Sequence, residues 1–292
     1  MPDSGYNQFC PVAMAAEVLG ARWTLLLLRE LLVGSARFND LRRGVPRMSP
    51  ALLSKRLKDL ETAGIVTRCE ASGEPGVFEY QLTNAGRDLR KVVEEVGNWG
   101  QRWIETAATL EHLDPELLMW DIRRNIDPRP MPRRRTTIQI IFKDLAKSRQ
   151  NWWLVVQPDR DVDLCSVEPG FDVDLYLSTD LRTMTEIWMG YTTIARAKEQ
   201  SKLFISGNRQ LETSIRSWFT LSPFAKVEKL VALYKGGACR VRMCPIDAAP
   251  TKARRGWGVA PVKSLARDTH ADPIVQTICP PRYCTIAVRV VG

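Results

Sequence analysis

Apolar residues in the first third of the chain recur with a helical period, and that period is broken at glycines, prolines and hydroxylic residues. Residues 10–20 read as a helix, with Pro11 at its start and Gly20 at its end. Residues 23–33 are apolar nearly all round, which predicts a buried central helix. Phe38 and Leu41 face inward from a short helix over 38–43. Beyond the loop Gly44-Val45-Pro46-Arg47-Met48, Ser49 can cap a further helix with its hydroxyl, and Pro50 fits its first position. Leu53, Leu57 and Leu60 share one face of that helix; Ala51, Ser54, Lys55, Lys58 and Thr62 share the other. Two short helices joined by a tight turn, the second of them basic, form a helix-turn-helix pattern.

The pattern then changes to strands. Residues 65–70 and 78–82 read as the arms of a hairpin around the turn Ser72-Gly73-Glu74-Pro75-Gly76. A hairpin directly after such a helix is the wing of a winged helix, with Arg68 as the candidate backbone contact. Thr83 caps a predicted helix over 84–110, whose apolar stripe comprises Leu89, Val92, Val93, Val96, Trp99, Trp103 and Ile104. That stripe is wide for one small domain. Val92, Val96, Trp99 and Trp103 are therefore candidates for a dimer interface, with intrachain packing as the alternative.

Domain boundaries follow from composition. Residues 1–112 form the helix-turn-helix and dimerisation domain. Residues 113–135 hold four prolines and Arg123, Arg124, Arg129, Arg133, Arg134 and Arg135, and are expected to be a stiff, extended linker. Strands at 136–142, 152–157, 162–167 and 173–177 precede helices at 180–189 and 193–199, a strand at 203–205 and a helix at 210–219. Strands first and helices after predict an α+β domain over 136–234. Residues 235–292 lose periodicity except at 285–291 and are expected to be a basic, poorly ordered tail.

Charge sharpens the picture. The net charge of +9 over 292 residues is unevenly placed. Residues 1–112 hold fourteen cations and fourteen anions, whereas 235–292 hold ten against three. Within the balanced domain, Arg37, Arg42, Arg43, Arg47, Lys55, Arg56 and Lys58 fall in one stretch with a single anion, Asp40. A local basic patch is what phosphate contacts need. Ser49, Ser54, Lys55 and Lys58 are the candidate groove residues, with Arg42, Arg43, Arg47 and Arg56 on flanking phosphates. Double-stranded DNA is the expected partner.

Other chemistry is sparse. There is no G-x-S-x-G, glycine-rich phosphate loop or H-E-x-x-H, so neither an enzyme nor a cofactor is expected. Seven scattered cysteines fit reduced thiols in a cytoplasmic protein, and no apolar run is long enough to predict a membrane span. Cys239-x₄-Cys244 and Cys279-x₄-Cys284 stand at the edge of zinc-ligand spacing; His112 and His270 are isolated. Cys10 lies at a helix N-terminus, where backbone dipoles favour a thiolate, so it is a candidate redox sensor. Asp159, Asp161 and Asp163 read as a solvated turn. Trp152, Tyr176, Trp188, Tyr191, Phe204 and Trp218 are an aromatic core or the lining of a pocket for a lipid-like or aromatic small molecule.

Several motifs within 10–103 carry a resemblance: Cys10-Pro11, Gly20…Trp23-Thr24, Arg29-Glu30-Leu31, Arg37-Phe38-Asn39-Asp40-Leu41, Ser49-Pro50, Leu60-Glu61…Gly64, Tyr80-Gln81-Leu82-Thr83 and Trp99-Gly100…Trp103. Together they closely resemble the HxlR family of bacterial winged helix-turn-helix regulators. The resemblance implies a homodimer on a palindromic operator and, in some members, oxidant sensing at the cysteine matching Cys10. Trp152-Trp153-Leu154-Val155-Val156, Ile187-Trp188-Met189-Gly190 and Leu203-Phe204-Ile205-Ser206-Gly207 give residues 136–221 a more diffuse similarity to the sterol carrier protein type two fold. The expectation is thus a transcription regulator; the alternative is an apolar-ligand carrier whose winged helix serves as an interaction module.

Overall fold

The computed structural model describes residues 5–158 and 162–230. The predicted tail at 235–292, its paired cysteines, His270, and also Asp159 and Asp161, lie outside the described residues.

The first region runs α1 (Pro11–Leu19), α2 (Thr24–Leu32), α3 (Phe38–Gly44), α4 (Pro50–Thr62), β1 (Val66–Glu70), β2 (Phe78–Leu82), α5 (Asn84–Asp88), α6 (Arg90–Trp103) and α7 (Thr106–Thr109). Leu27 and Leu28 of α2, Leu41 of α3 and Leu53, Leu57 and Leu60 of α4 form one buried cluster with Ile65 and Val66. Burying such side chains contributes roughly 1.5–3 kcal/mol each, which fixes α4 by its leucine face. The hairpin is antiparallel, in register from Val66 opposite Leu82 to Glu70 opposite Phe78. Arg37, just before α3, holds the wing by pairing with Glu74 in its turn at 2.5 Å and with Glu79 at 3.2 Å.

The long helix expected over 84–110 is instead three pieces. Thr83 does cap α5, its hydroxyl accepting the Gly86 N–H at 3.1 Å. At Ile104 the backbone turns extended and ends α6. Only Leu89 and Val93 of the apolar stripe pack against the leucine cluster, while Val92, Val96 and Trp99 stay exposed.

The stretch expected as an extended linker instead begins with a helix, α8 (Pro115–Arg124). Asp114 caps it, its carboxylate accepting the Glu116 and Leu117 N–H groups, and Pro115 takes the first position. Leu118, Met119 and Ile122 then enter the core of the second region. An apolar stripe behind an Asp-Pro cap overrides the prolines that follow it.

That second region contains β3 (Thr136–Phe142), α9 (Lys147–Gln150), β4 (Asn151–Val156), β5 (Asp163–Cys165), β6 (Leu175–Thr179), α10 (Leu181–Trp188), α11 (Ile194–Glu199), β7 (Phe204–Gly207), α12 (Arg209–Thr213) and α13 (Ile215–Trp218). The strands form one mixed sheet in the order β5-β4-β3-β6-β7. β3 pairs antiparallel with β4 and parallel with β6; the outer pairs are antiparallel. Ile138, Ile140, Phe142, Leu154, Leu175 and Leu177 face α8, α10 and the closing helices in a single core. The α+β class expected from the sequence is the class observed.

Candidate nucleic-acid interface

The basic helix is built as its sequence requires. The Ser49 hydroxyl accepts the Leu52 N–H at 3.3 Å, with Pro50 at the first position of α4. Leu53, Leu57 and Leu60 are buried; Ser54, Lys55 and Lys58 project from the opposite side, exposed. Neither lysine has an ion-pair partner among the described residues, and the same holds for Arg42 and Arg47 in the approach to the helix. A leucine-anchored helix with unpaired cations on its open side can meet a phosphate backbone without first breaking an internal contact.

Three cations of the predicted patch are already engaged, Arg37 with Glu74 and Glu79 of the wing. Arg56 pairs with Asp59 at 2.7 Å and donates to the Arg22 carbonyl at 3.3 Å. Arg43 lies 3.6 Å from Asp40, with its guanidinium carbon 5.3 Å from the centroid of the Trp120 ring. On the wing, Arg68 stacks on Phe78 at 3.8 Å and stays exposed.

Behind this surface stands a group that sequence reasoning missed. Glu30 of α2 is wholly buried, with 0% of its surface exposed. Its carboxylate accepts from Arg124 at 2.6 Å, Arg29 at 2.7 Å, the Trp120 indole N–H at 3.3 Å and the Ser35 hydroxyl at 3.5 Å. Arg124 also reaches Asp121, and Arg29 donates to the Gly44 carbonyl at the end of α3. Burial pushes the Glu30 carboxyl up. Hydrogen bonds and charge from Arg124 and Arg29 outweigh that and hold it below the ordinary carboxylate value. The cluster joins α2 and α3 to α8, hence the helix-turn-helix to the second region. The available signal was one acid within an apolar helix, which cannot stay buried without partners.

Two apolar surfaces remain. Val92, Val96 and Trp99 of α6 line an open groove of about 540 Å³, with Trp99 58% exposed. Trp103, the fourth predicted interface residue, is half-buried. Before and within α1, Phe9, Val12 and Met14 are exposed, Phe9 at 99%, and no residue of that helix is buried. Sequence reasoning assigned α1 no surface role, although its composition is apolar. Cys10 is a free, half-buried thiol at the N-terminal end of α1.

The aromatic residues expected to line an apolar cavity do not meet around one. Trp152, Trp188 and Trp218 are core residues. Tyr176 and Phe204 stand 40% and 51% exposed on strands β6 and β7. Tyr191 opens onto a different, polar hollow. The apolar space in the core, lined by Leu177, Met184, Ile187, Leu203, Ile215 and Phe219, has no room for a water molecule. The reason is close packing: large aromatic and branched side chains fill the volume between the sheet and its helices. Among the described residues, no three His, Cys, Asp or Glu side chains are grouped to hold a metal, and no single helix is long and apolar enough to cross a membrane.

The first region has relatives among known proteins. Residues 18–108 match the HxlR-like helix-turn-helix family. Over 102 residues the chain is 36% identical to the uncharacterized HTH-type transcriptional regulator YvaP of Bacillus subtilis, covering 35% of this chain and 94% of the relative. It is also 36% identical over 138 residues to the uncharacterized HTH-type transcriptional regulator Rv3095 of Mycobacterium tuberculosis, covering 41% of this chain and 85% of that one. Among solved structures, the reduced form of the transcriptional regulator YodB from Bacillus subtilis is 33% identical, covering 34% of this chain and 97% of that chain, with a TM-score of 0.30.

Proposed function

Because the chain belongs to the HxlR-like helix-turn-helix family of non-catalytic DNA-binding transcriptional regulators, we propose that it binds a palindromic operator as a homodimer, each copy laying α4 in the major groove. The observation that carries this reading is the open side of α4, where Lys55 and Lys58 stand exposed and unpaired while three leucines anchor the helix from behind. Ser49 and Ser54 supply hydroxyls on the same side, and Arg42 and Arg47 supply phosphate contacts. Arg68 reaches the backbone from the wing. Arg43 and Arg56 have a lesser part, because each must leave a partner first.

Pairing of two copies is supported by the exposed apolar groove on α6 and the exposed apolar face at α1; a lone domain leaves such surfaces in water at a cost. Cys10, at the start of α1, is read as the thiol through which an oxidant would release DNA. Residues 136–221 are read as a sterol-carrier-like scaffold. The mixed sheet with helices over its apolar face supports that likeness, and the filled core favours a scaffold over an apolar-ligand carrier.

Genome-wide footprinting of the tagged full chain tests the proposal. Discrete sites sharing a two-fold symmetric sequence are expected. Sequence-independent coverage, or no protected sites, would overturn it.

A further inference from the structure

A polar hollow of about 740 Å³ opens where the end of α6 meets the second region. Its walls come from three stretches remote in sequence: Gln101 to Thr106, residues 186–202 and residues 225–229. Gln101, on α6, is almost fully buried there. Its side-chain oxygen accepts the Tyr191 hydroxyl at 3.0 Å, and its amide donates to the Met189 carbonyl at 3.5 Å. Lys229 donates to the Ile104 carbonyl at the end of α6 and lies 5.1 Å from the centroid of the Tyr191 ring. Two glycines allow the close approach. At Gly97 of α6 a Cβ would fall 2.3 Å from the Phe224 ring. Gly190 takes φ +76°, and a Cβ there would fall 2.8 Å from the Ala225 carbonyl oxygen.

The charge around this hollow is unbalanced. Arg196, Lys202, Lys226 and Lys229 face only Glu186 and Glu228. The first three of those cations have no ion-pair partner among the described residues. Unpaired cations around a concave site, with amide and hydroxyl groups between them, suit an anion; the volume is that of a site for an organic molecule.

We propose that this hollow binds a small organic polyanion bearing phosphate or carboxylate groups, and that its occupancy is felt through Gln101 by the dimer-forming side of α6. Trp99 lies two residues, and Val96 five, before Gln101 on the same helix. The binding site stands on its own geometry; the effect on pairing rests on the homodimer reading above.

Calorimetric titration of the full chain without DNA, at low ionic strength, with inorganic pyrophosphate and separately with citrate, tests the binding. One site per chain is expected. Lys226→Ala should weaken it about tenfold, the scale of one charge-assisted hydrogen bond removed, and combined Arg196→Ala and Lys202→Ala about a hundredfold, the scale of two. Tighter pyrophosphate assigns a phosphoryl ligand, and tighter citrate assigns a carboxylate. Lys55→Ala with Lys58→Ala should leave anion binding unchanged. The site is overturned if neither anion binds, if the Arg196 and Lys202 changes or Lys226→Ala leave the affinity unchanged, or if binding vanishes with the Lys55 and Lys58 changes. Sedimentation with and without the bound anion reads the coupling: a shifted monomer–dimer balance in the wild type alone is expected. An unshifted balance would overturn the coupling while leaving the site intact.

Discussion

On the open side of α4, Lys55 and Lys58 are exposed and unpaired, whereas at the junction Glu30 has no contact with water and is ringed by donors from α2, α8 and the loop after α2. The two regions put charge to opposite uses. An exposed, unpaired cation contributes little to folding but can meet a phosphate at once. A buried, saturated carboxylate contributes nothing to recognition, yet removing an arginine partner leaves its charge less compensated in a low-dielectric interior. On the proposed reading, the chain thereby separates the residues that would meet DNA from the residues that hold α4 in place.

The largest expected effect lies at the junction. Arg124→Ala leaves Glu30 with Arg29, Trp120 and Ser35 alone and should cost about 2–3 kcal/mol in denaturant unfolding. A loss under about 1 kcal/mol would mean that water already reaches the cluster. The same carboxylate sets an acid limit. Because its folded-state pKa lies below the unfolded one, Glu30 contributes stability above about pH 4.5, its ordinary value, and loses it as pH falls through the depressed folded value. Glu30→Gln should be less stable at neutral pH, with a shallower decline in acid. Parallel curves for the two proteins would remove Glu30 from this role.

Next in size is pairing. Val96→Glu together with Trp99→Glu places charges in the α6 groove and should convert dimer to monomer by sedimentation, with folding intact because both side chains are exposed. An unchanged dimer would move the interface elsewhere, α1 being the next surface to alter. Smaller still is the contrast within the basic patch. Arg47→Ala should weaken DNA binding by more than Arg56→Ala, since the Arg56 guanidinium is already held by Asp59 and Arg22; the reverse order in fluorescence anisotropy would erase the distinction between free and engaged cations. The smallest concerns Cys10→Ser, which should bind DNA as the wild type does and lose any release by oxidant. An identical oxidant response in the variant excludes the thiol.

What the sequence revealed depended on how local the determinants are. The cap at Ser49, the leucine spacing of α4 and the turn residues of the wing are short-range signals, and each element formed where they lie. The break after Trp103 was hidden, and the outward stance of Val92 and Val96 was one of two readings left open, because an apolar stripe does not say which neighbour covers it. α8 is obscured for a different reason: prolines and arginines dominate the composition, although the Asp114-Pro115 start and the following Leu118, Met119 and Ile122 hold the helical signal. The pairing of Glu30 with Arg124 spans 94 positions, and no local pattern records it. The aromatic residues of the second region illustrate the converse, since abundance in sequence carries no information on whether a fold leaves space between them.

On the proposed function, the unpaired lysines of α4 meet DNA phosphates and bases. The most direct measurement is operator affinity against salt concentration for the wild type and for Lys55→Ala with Lys58→Ala, with unfolding curves taken in parallel. Weaker binding is expected in the variant, with a log–log salt slope flatter by about one for each phosphate the variant no longer neutralises, at a stability within about 0.5 kcal/mol of wild type. Equal affinity and equal slope in a stably folded variant would contradict that reading.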